Sequence, residues 1–261
     1  MSERLRVLHV VGSLSGGGIQ TFLLGLIRHR GELIDADVVE MAKRPGELTG
    51  VAEELGANVF QCSPRSFLYN FPRAFLEVLR AGNYDVVHLH RSSMMQGMPL
   101  DLARREGVPV RVAHFQNVHR RPPFLSARRM AEPFLKRKVL SAATHIIGVS
   151  SPVLESHFGA NWRGDPRMRV IPNAIETESY RDQSQREEVR RQFGIAPEEI
   201  VIGHDGRFSP AKNHHAVVEV AKRVCESHSN TSFLLAGTGP LLDEIRQSVT
   251  SAGLEKKVVF A

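Results

Sequence analysis

Cysteine, tryptophan and tyrosine are scarce: the 261 residues hold two Cys, one Trp and three Tyr. Cys62 and Cys225 stand far apart in the chain. They make neither a metal-type pair nor a disulfide framework, and they fit a reducing compartment. Long apolar runs are missing too. The opening MSERLRVLHVVGS carries too short an apolar run for a secretion signal, and no stretch approaches the ~18 apolar residues of a membrane span. Low-complexity tracts and internal repeats are absent. These absences point to a cytoplasmic, soluble protein that touches a membrane, if at all, from outside.

Acidic residues are outnumbered, 28 Asp and Glu against 34 Lys and Arg, for a net charge of +6. The excess is local. Between Arg111 and Lys138 stand eight basic residues (Arg111, Arg120, Arg121, Arg128, Arg129, Lys136, Arg137, Lys138) and one acid, Glu132. A patch of this kind implies an anionic partner: a phosphorylated substrate, a membrane surface or a nucleic acid. No nucleic-acid motif accompanies it. In residues 119–140 the cations are interleaved with Phe124, Leu125, Met130, Phe134, Leu135, Val139 and Leu140. That mixture suits either a helix on anionic lipid or a surface helix packed by its apolar face.

Apolar residues make up 42% of the chain, ample for a buried core. Their pattern alternates short β-branched runs with longer helical stretches. Strands are expected at Leu5–Gly12, Asp37–Met41, Asn58–Cys62, Asp85–His90, Val108–Phe115, His145–Val149 and Arg169–Ile171. Helices are expected at Ile19–Arg30, Glu47–Leu55, Pro72–Ala81, Met95–Glu106, Ser126–Ser141 and Pro152–His157. After the polar stretch ETESYRDQSQ a second series begins. Its helices fall at Gln185–Phe193, Ala211–Cys225 and Leu241–Ala252, and its strands at Ile200–Gly203, Ser232–Ala236 and Lys257–Phe260. Such a βαβ series predicts an α/β protein with parallel sheets covered by helices, ligands binding at the carboxyl ends of the strands. The expected division is residues 1–180 and 181–261, the second unit having few strands for a domain of this type.

Four stretches carry candidate chemistry. GSLSGGGIQ, Gly12–Gln20, places Gly16, Gly17 and Gly18 between a strand and a helix. It fits neither the G-x4-G-K-[ST] loop nor the dinucleotide G-x-G-x-x-G. Two readings remain: an anion held at a helix start, or a tight turn that needs positive φ. GHDGRFSPAKNHH, Gly203–His215, offers Arg207 and Lys212. With Ser209 as cap and Pro210 at the first helical position, Lys212 falls in the first turn of a helix, where an anion would offset its charge. Arg207 and Lys212 together make a diphosphate clamp or two solvated cations. In LLAGTGP, Gly237 and Gly239 fit a ligand contact or a tight turn equally. VRVAHFQN ends a strand on His114 and Gln116, placed to bond a sugar hydroxyl or a reacting group, or to serve the fold. His88-Leu89-His90 has H-x-H spacing, but no third ligand lies nearby in sequence, and no metal is expected. Asp35-Ala-Asp37 reads as a solvated loop.

The order of these motifs is more specific than any of them. VLHVVGSLSGGGIQTFL, DVVHLH, IIGVSSPVLE, VIPNAIETESY, GRFSPAKNHHAVVEVAK and LLAGTGPLLDEI resemble in sequence the retaining family 4 glycosyltransferases across essentially the whole chain. The resemblance implies two Rossmann-like parallel-sheet domains facing a cleft, the arrangement called GT-B. The amino-terminal domain would take the acceptor, and the carboxyl-terminal domain the nucleotide. It implies a nucleoside-diphosphate sugar, UDP-linked, as donor, and no cofactor or metal. Arg207 and Lys212 would bind the donor diphosphate and stabilise the leaving group, with Gly16–Gly18, Gly237 and Gly239 near diphosphate and sugar, and Asn173 in the PNAIE motif as a further contact. The family histidine falls on His114 or, with a shift of two, on Gln116; alternation keeps both on one side of the strand, and His114 is the expected catalytic group. The acceptor would be a polysaccharide or a cell-envelope glycan or lipid. The glutamate pair E-x7-E that the family carries farther on has no counterpart before Ala261. The second domain is therefore expected to be incomplete and transfer weak or absent. Two other readings are a non-catalytic nucleotide- or membrane-binding remnant, and a nucleotide-sugar epimerase of the same fold.

Overall fold

The computed structural model describes residues 4–63, 70–90, 97–119, 127–178 and 181–261, with the side chains of 127–129 left aside. The chain divides into two compact units, Met1–Ile175 and Glu176–Ala261, five residues before the expected boundary.

The first unit alternates strand and helix: β1 (Leu5–Val11), α1 (Gly18–Arg28), β2 (Ile34–Glu40), α2 (Thr49–Glu54), β3 (Val59–Gln61), α3 (Asn70–Gly82), β4 (Val86–His90), α4 (Gly97–Arg105), β5 (Val110–Phe115), α5 (Ala127–Ala142), β6 (His145–Gly148), α6 (Ser151–Phe158) and β7 (Met168–Val170). The strands form one sheet in the order β3-β2-β1-β4-β5-β6-β7, every pair parallel. The chain runs outward from β1 through β3, then returns to the other side of β1 with β4. Such a reversal leaves a crevice at the carboxyl ends of the two strands, the place where open α/β sheets take ligands.

Strands buried on both faces read as near-continuous apolar runs, and β1 does so except at Arg6 and His9. Leu8 and Val10 enter a core with Leu89, Ala113 and Phe115, closed by Phe71, Phe75 and Leu79 of α3. Those three recur at four-residue intervals, one stripe of a helix. Val11 turns to the opposite face, among Leu23 and Ile27 of α1 and Val38 of β2. The residues of β1 on that second face include His9, and its neighbours there are polar too. The expected solvated loop at Asp35–Asp37 is instead part of β2, because Ile34 pairs with Leu5 and extends the ladder. Asp37 is buried and accepts hydrogen bonds from Tyr84 Oη at 2.7 Å and from Asn58 N and Nδ2 at 3.1 and 2.9 Å.

The second unit holds α7 (Arg186–Gln192), β8 (Ile200–Asp205), α8 (His214–Ser227), β9 (Thr231–Ala236), α9 (Leu242–Ser251) and β10 (Val258–Phe260). Its sheet is parallel, in the order β10-β9-β8. Phe208, Phe233, Leu235, Ile245 and Val249 make its core. Asp243 and Glu244 in the first turn of α9 complement that helix's dipole.

One helix differs from expectation in a way that matters for the site. The stretch Ala211–Cys225 is not continuous. Pro210–Lys212 form a 3-10 turn, Asn213 takes a left-handed conformation at φ 49°, and α8 starts only at His214. Asn tolerates that conformation better than most residues, so the chain breaks there. Ser209 makes no side-chain cap, and Lys212 is not in the first turn of α8. The dipole argument for Lys212 therefore falls.

Candidate functional site

At the carboxyl end of β1 the chain runs through Gly12–Gly17 into α1. Gly16, Gly17 and Gly18 are exposed, and none takes the left-handed conformation, Gly17 being extended at φ 167°. A Cβ at Gly18 would meet nothing within 4 Å, one at Gly16 would reach only Glu47 Oε2 at 3.8 Å, and one at Gly17 would press only on the side-chain amide of Gln20, at 2.9 Å from Oε1. Turn strain therefore does not require the three glycines. Their effect is to leave the backbone bare where α1 begins, at an N-cap, Gly17, that supplies no side-chain bond. Free N–H groups at such a point suit an anion.

A residue that sequence reasoning missed holds this loop. Glu40, the last residue of β2, is fully buried. Its Oε1 accepts from the backbone N–H of Leu14 at 2.6 Å and of Gly46 at 3.0 Å. Its Oε2 accepts from Thr49 Oγ1 at 2.9 Å and Gln61 Nε2 at 2.6 Å. Gly46 lies so close to Leu14 and Ser15 that a Cβ would overlap their backbone. The available signal was the charge itself: a Glu closing the apolar run of β2 has to be bonded if the strand is buried.

At the ends of β4 and β5 stands a group of imidazoles. Register pairs His9 with His88 and His90 with His114, so all four rings share one face of the sheet. His9 Nδ1 lies 2.9 Å from His90 Nε2, and His88 Nε2 lies 3.2 Å from His114 Nδ1. The amide nitrogen of Gln116 donates to His90 Nδ1 at 3.4 Å. That leaves the His90 proton on Nε2, from which it is donated to His9 Nδ1. Burial pushes His9 and His114 down to about 4. His88 and His90 are also held well below the usual range, by burial first and then by the other rings. All four are neutral at physiological pH.

His114, expected as the catalytic group, is 2% exposed, with Nε2 unpartnered and Phe22 of α1 edge-on against its ring at 5.6 Å. Packing against Phe22 of α1 buries it, and its hydrogen bond to the half-buried His88 links it to the surface. Gln116 is half-buried just past the end of β5, and of the two it is the one within reach of solvent. Asn173 is exposed in the irregular segment after β7.

In the second unit, the segments after β8 and β9 are stitched together. Gly206 N donates to Ala236 O at 3.0 Å, Phe208 N to Thr238 O at 2.9 Å, and Leu241 N to Phe208 O at 3.1 Å. Gly237 and Gly239 have φ of 136° and 153°. A Cβ on Gly237 would strike Gly206 O, and one on Gly239 would sit 2.5 Å from Phe208 O. These two glycines thus have a packing reason of their own. What the stitching presents is Arg207, exposed, and Lys212, exposed. The Lys212 stem lies along Gly206, where a Cβ would be 3.1 Å from its Cδ and Cε. Among the described residues neither cation has a carboxylate partner.

Two parallel α/β units, one with a bare-backbone loop at a helix start and the other with exposed cations past its first strand, define a Rossmann-type protein. Residues 17–174 match the glycosyl transferase 4-like domain and residues 185–261 the glycosyl transferases group 1 domain. The chain belongs to the glycosyl transferase 4-like family and is by family a glycosyltransferase. It is 28% identical over 267 residues to EpsF of Bacillus subtilis (strain 168), a match that covers 99% of this chain and 68% of that protein. It is 24% identical over 253 residues to the capsular polysaccharide biosynthesis glycosyltransferase CapH of Staphylococcus aureus, covering 97% and 67%. Among solved structures it resembles Anabaena Alr3699/HepE in complex with UDP and glucose, with a TM-score of 0.77, 19% identity, and coverage of 98% of this chain and 69% of that one. That likeness shows the fold, an α/β architecture of the GT-B glycosyltransferase type.

Proposed function

We propose that the chain moves a hexose from a nucleoside-diphosphate sugar, UDP-linked, to a polysaccharide or cell-envelope glycan or lipid acceptor, with retention of configuration. The observation that carries this reading is the pair Arg207 and Lys212, exposed and unpaired on a loop that hydrogen bonds hold rigid. A diphosphate leaving group gains negative charge as the glycosidic bond breaks. An Arg fork and a Lys point charge carried on that loop would stabilise that charge without a metal. In the first unit, the bare N–H groups of Gly16–Gly18 are a separate set of donors suited to an anion. In this reading Gln116 and Asn173 contact sugar or acceptor, and His114 positions rather than reacts. The UDP and glucose bound to HepE support UDP as the nucleotide, and the capsular role of CapH supports a polysaccharide acceptor.

The test is calorimetric titration with UDP, GDP and ADP of the wild type and of Arg207→Ala and Lys212→Ala. Binding is the readout, since the chain spans 68% of the length of EpsF. UDP binds the wild type, and each variant weakens it about ten-fold or more, the loss of one charge-assisted contact. If no nucleotide binds, or both variants bind as the wild type does, the clamp assignment is wrong.

The basic segment 119–140 belongs to the same proposal as a contact with anionic membrane. Residues 120–126 lie outside the described part. On α5, Met130 is 80% and Phe134 61% exposed, with Lys138 Nζ 5.1 Å above the Phe134 ring. No helix among the described residues is long and apolar enough to cross a membrane, so contact would be by insertion of these side chains. Co-sedimentation with phosphatidylglycerol vesicles should fall on the double change Met130→Ser and Phe134→Ser; unchanged binding would remove the segment from the proposal.

A further inference from the structure

The sequence offers His88 and His90 as an incomplete metal motif, and strand pairing completes it. One ring nitrogen from each of His9, His88 and His90 lies within 4.8 Å of the others. We propose that these three imidazoles bind a borderline divalent transition-metal ion of the Zn2+, Co2+ or Ni2+ class. Nothing in this proposal depends on the clamp in the other unit.

The donor set selects the class of ion. Three imidazoles with no carboxylate oxygen suit Zn2+ and its neighbours and give Mg2+ or Ca2+ nothing they favour. Three histidines and one position for water are a recurrent zinc set. The spacing is close to what ligation needs. With metal–nitrogen bonds of 2.0–2.1 Å, a tetrahedral ion holds its nitrogens about 3.3 Å apart. His9 Nδ1 and His90 Nε2 stand at 2.9 Å. Opening that contact by a few tenths of an ångström exchanges one hydrogen bond for two coordinate bonds.

The rings already carry the charge state that ligation requires. Burial keeps all of them neutral, so no proton has to be expelled. His90 changes tautomer: its proton moves from Nε2 to Nδ1. There it meets Gln116, whose amide is 3.4 Å away and can turn its oxygen to accept. Outer partners of this kind orient ligating histidines in metal sites generally. His114 Nδ1, 3.2 Å from His88 Nε2, fills the same place for His88. The way in is also defined. His9 and His90 are buried, while His88 is half-buried, so the ion enters on the His88 side.

The experiment uses the untagged full chain, stripped with EDTA, dialysed and titrated with Zn2+ by calorimetry and with Co2+ by visible absorbance. Wild type takes one equivalent of each into the site, and bound Co2+ develops the visible bands of an ion in low coordination. His88→Phe and His90→Gln each weaken Zn2+ binding about ten-fold or more, while His215→Ala, at an exposed ring paired with Glu244, leaves it unchanged. Fluorescence of Trp162, the single tryptophan, confirms that each variant is folded. Absence of binding to the wild type overturns the proposal. So does binding of equal strength in His88→Phe and His90→Gln, which would place the ion on surface histidines, and so does equal competition by Mg2+.

Discussion

Replacing Glu40 by Leu separates two opposed expectations about a buried charge. Burying a carboxylate is costly, and exchanging buried ionic groups for apolar ones of similar size is often neutral or stabilising. That outcome requires the partners to be removed as well. Here two of the four donors are backbone N–H groups, those of Leu14 and Gly46, and no side-chain change removes them. Each buried donor left without a partner costs about 1–3 kcal/mol. The Thr49 hydroxyl and the Gln61 amide can turn toward other acceptors, so they add less. With two backbone orphans as the main term, Glu40→Leu should destabilise the first unit by about 4 kcal/mol. Glu40→Gln keeps one oxygen for the two N–H groups and should lose only about 1–2 kcal/mol, the charge-assisted part. Urea unfolding followed by Trp162 fluorescence reads this directly, because Trp162 is buried in the first unit. A loss of 4 kcal/mol corresponds to roughly 8–16 °C in Tm for a unit of this size. Hydrogen exchange adds a local check: the Leu14 and Gly46 amides should lose protection in Glu40→Leu more than those of β5 do. If Glu40→Leu is as stable as the wild type, the carboxylate is not what fastens the glycine loop.

Two further outcomes test other contacts. Gly239→Ala puts a Cβ 2.5 Å from Phe208 O at a φ of 153°, which strains the backbone and breaks the stitching around Phe208. The second unit should lose about 2–4 kcal/mol, seen as faster amide exchange at Phe208 and Leu241 with the Trp162 transition unmoved; unchanged exchange would contradict the packing account of that glycine. Acid should weaken the first unit in part through His157. Burial holds its pKa below 6.5, its Nε2 donates to Asn117 O at 3.0 Å, and its Nδ1 has no partner. The folded-state pKa is the lower one, so the unfolded chain binds the extra proton. The stability His157 contributes is complete above pH 6.5 and is withdrawn as pH falls below it. His157→Gln should flatten the pH dependence of urea stability below 6.5 relative to wild type, the other buried histidines contributing alike to both proteins; parallel curves would exclude His157.

The order of strands and helices was legible because buried parallel strands announce themselves as short apolar β-branched runs. Every expected strand is present, with ends displaced by a few residues. The expected helix across Lys212 failed for a local reason: Ser209 and Pro210 look like a helix start, but the left-handed turn at Asn213 postpones α8 to His214. The two glycine signals separated in a way that sequence could not. Gly16–Gly18 were open between an anion contact and a tight turn and take no left-handed conformation, whereas Gly237 and Gly239, open in the same way, are required by the approach of Gly206 and Phe208. Only distant strand contacts decide such cases.

The histidines make the same point more strongly. H-x-H within β4 shows in the sequence that two rings share a face. Nothing local shows that β1, about 80 residues earlier, lies in register beside β4 and brings His9 opposite His88. The crossover topology that makes the crevice at β1 and β4 also assembles the imidazoles on one face beside it. A site expected to present a single histidine at a strand end therefore presents a group of four, three buried and His88 half-buried, with Gln116 bonded to His90. Gln116 and His88 are the two members of this group within reach of solvent, so changes at His90 or His114 act on a molecule too large to enter the cluster through the hydrogen bonds that tie them to Gln116 and His88.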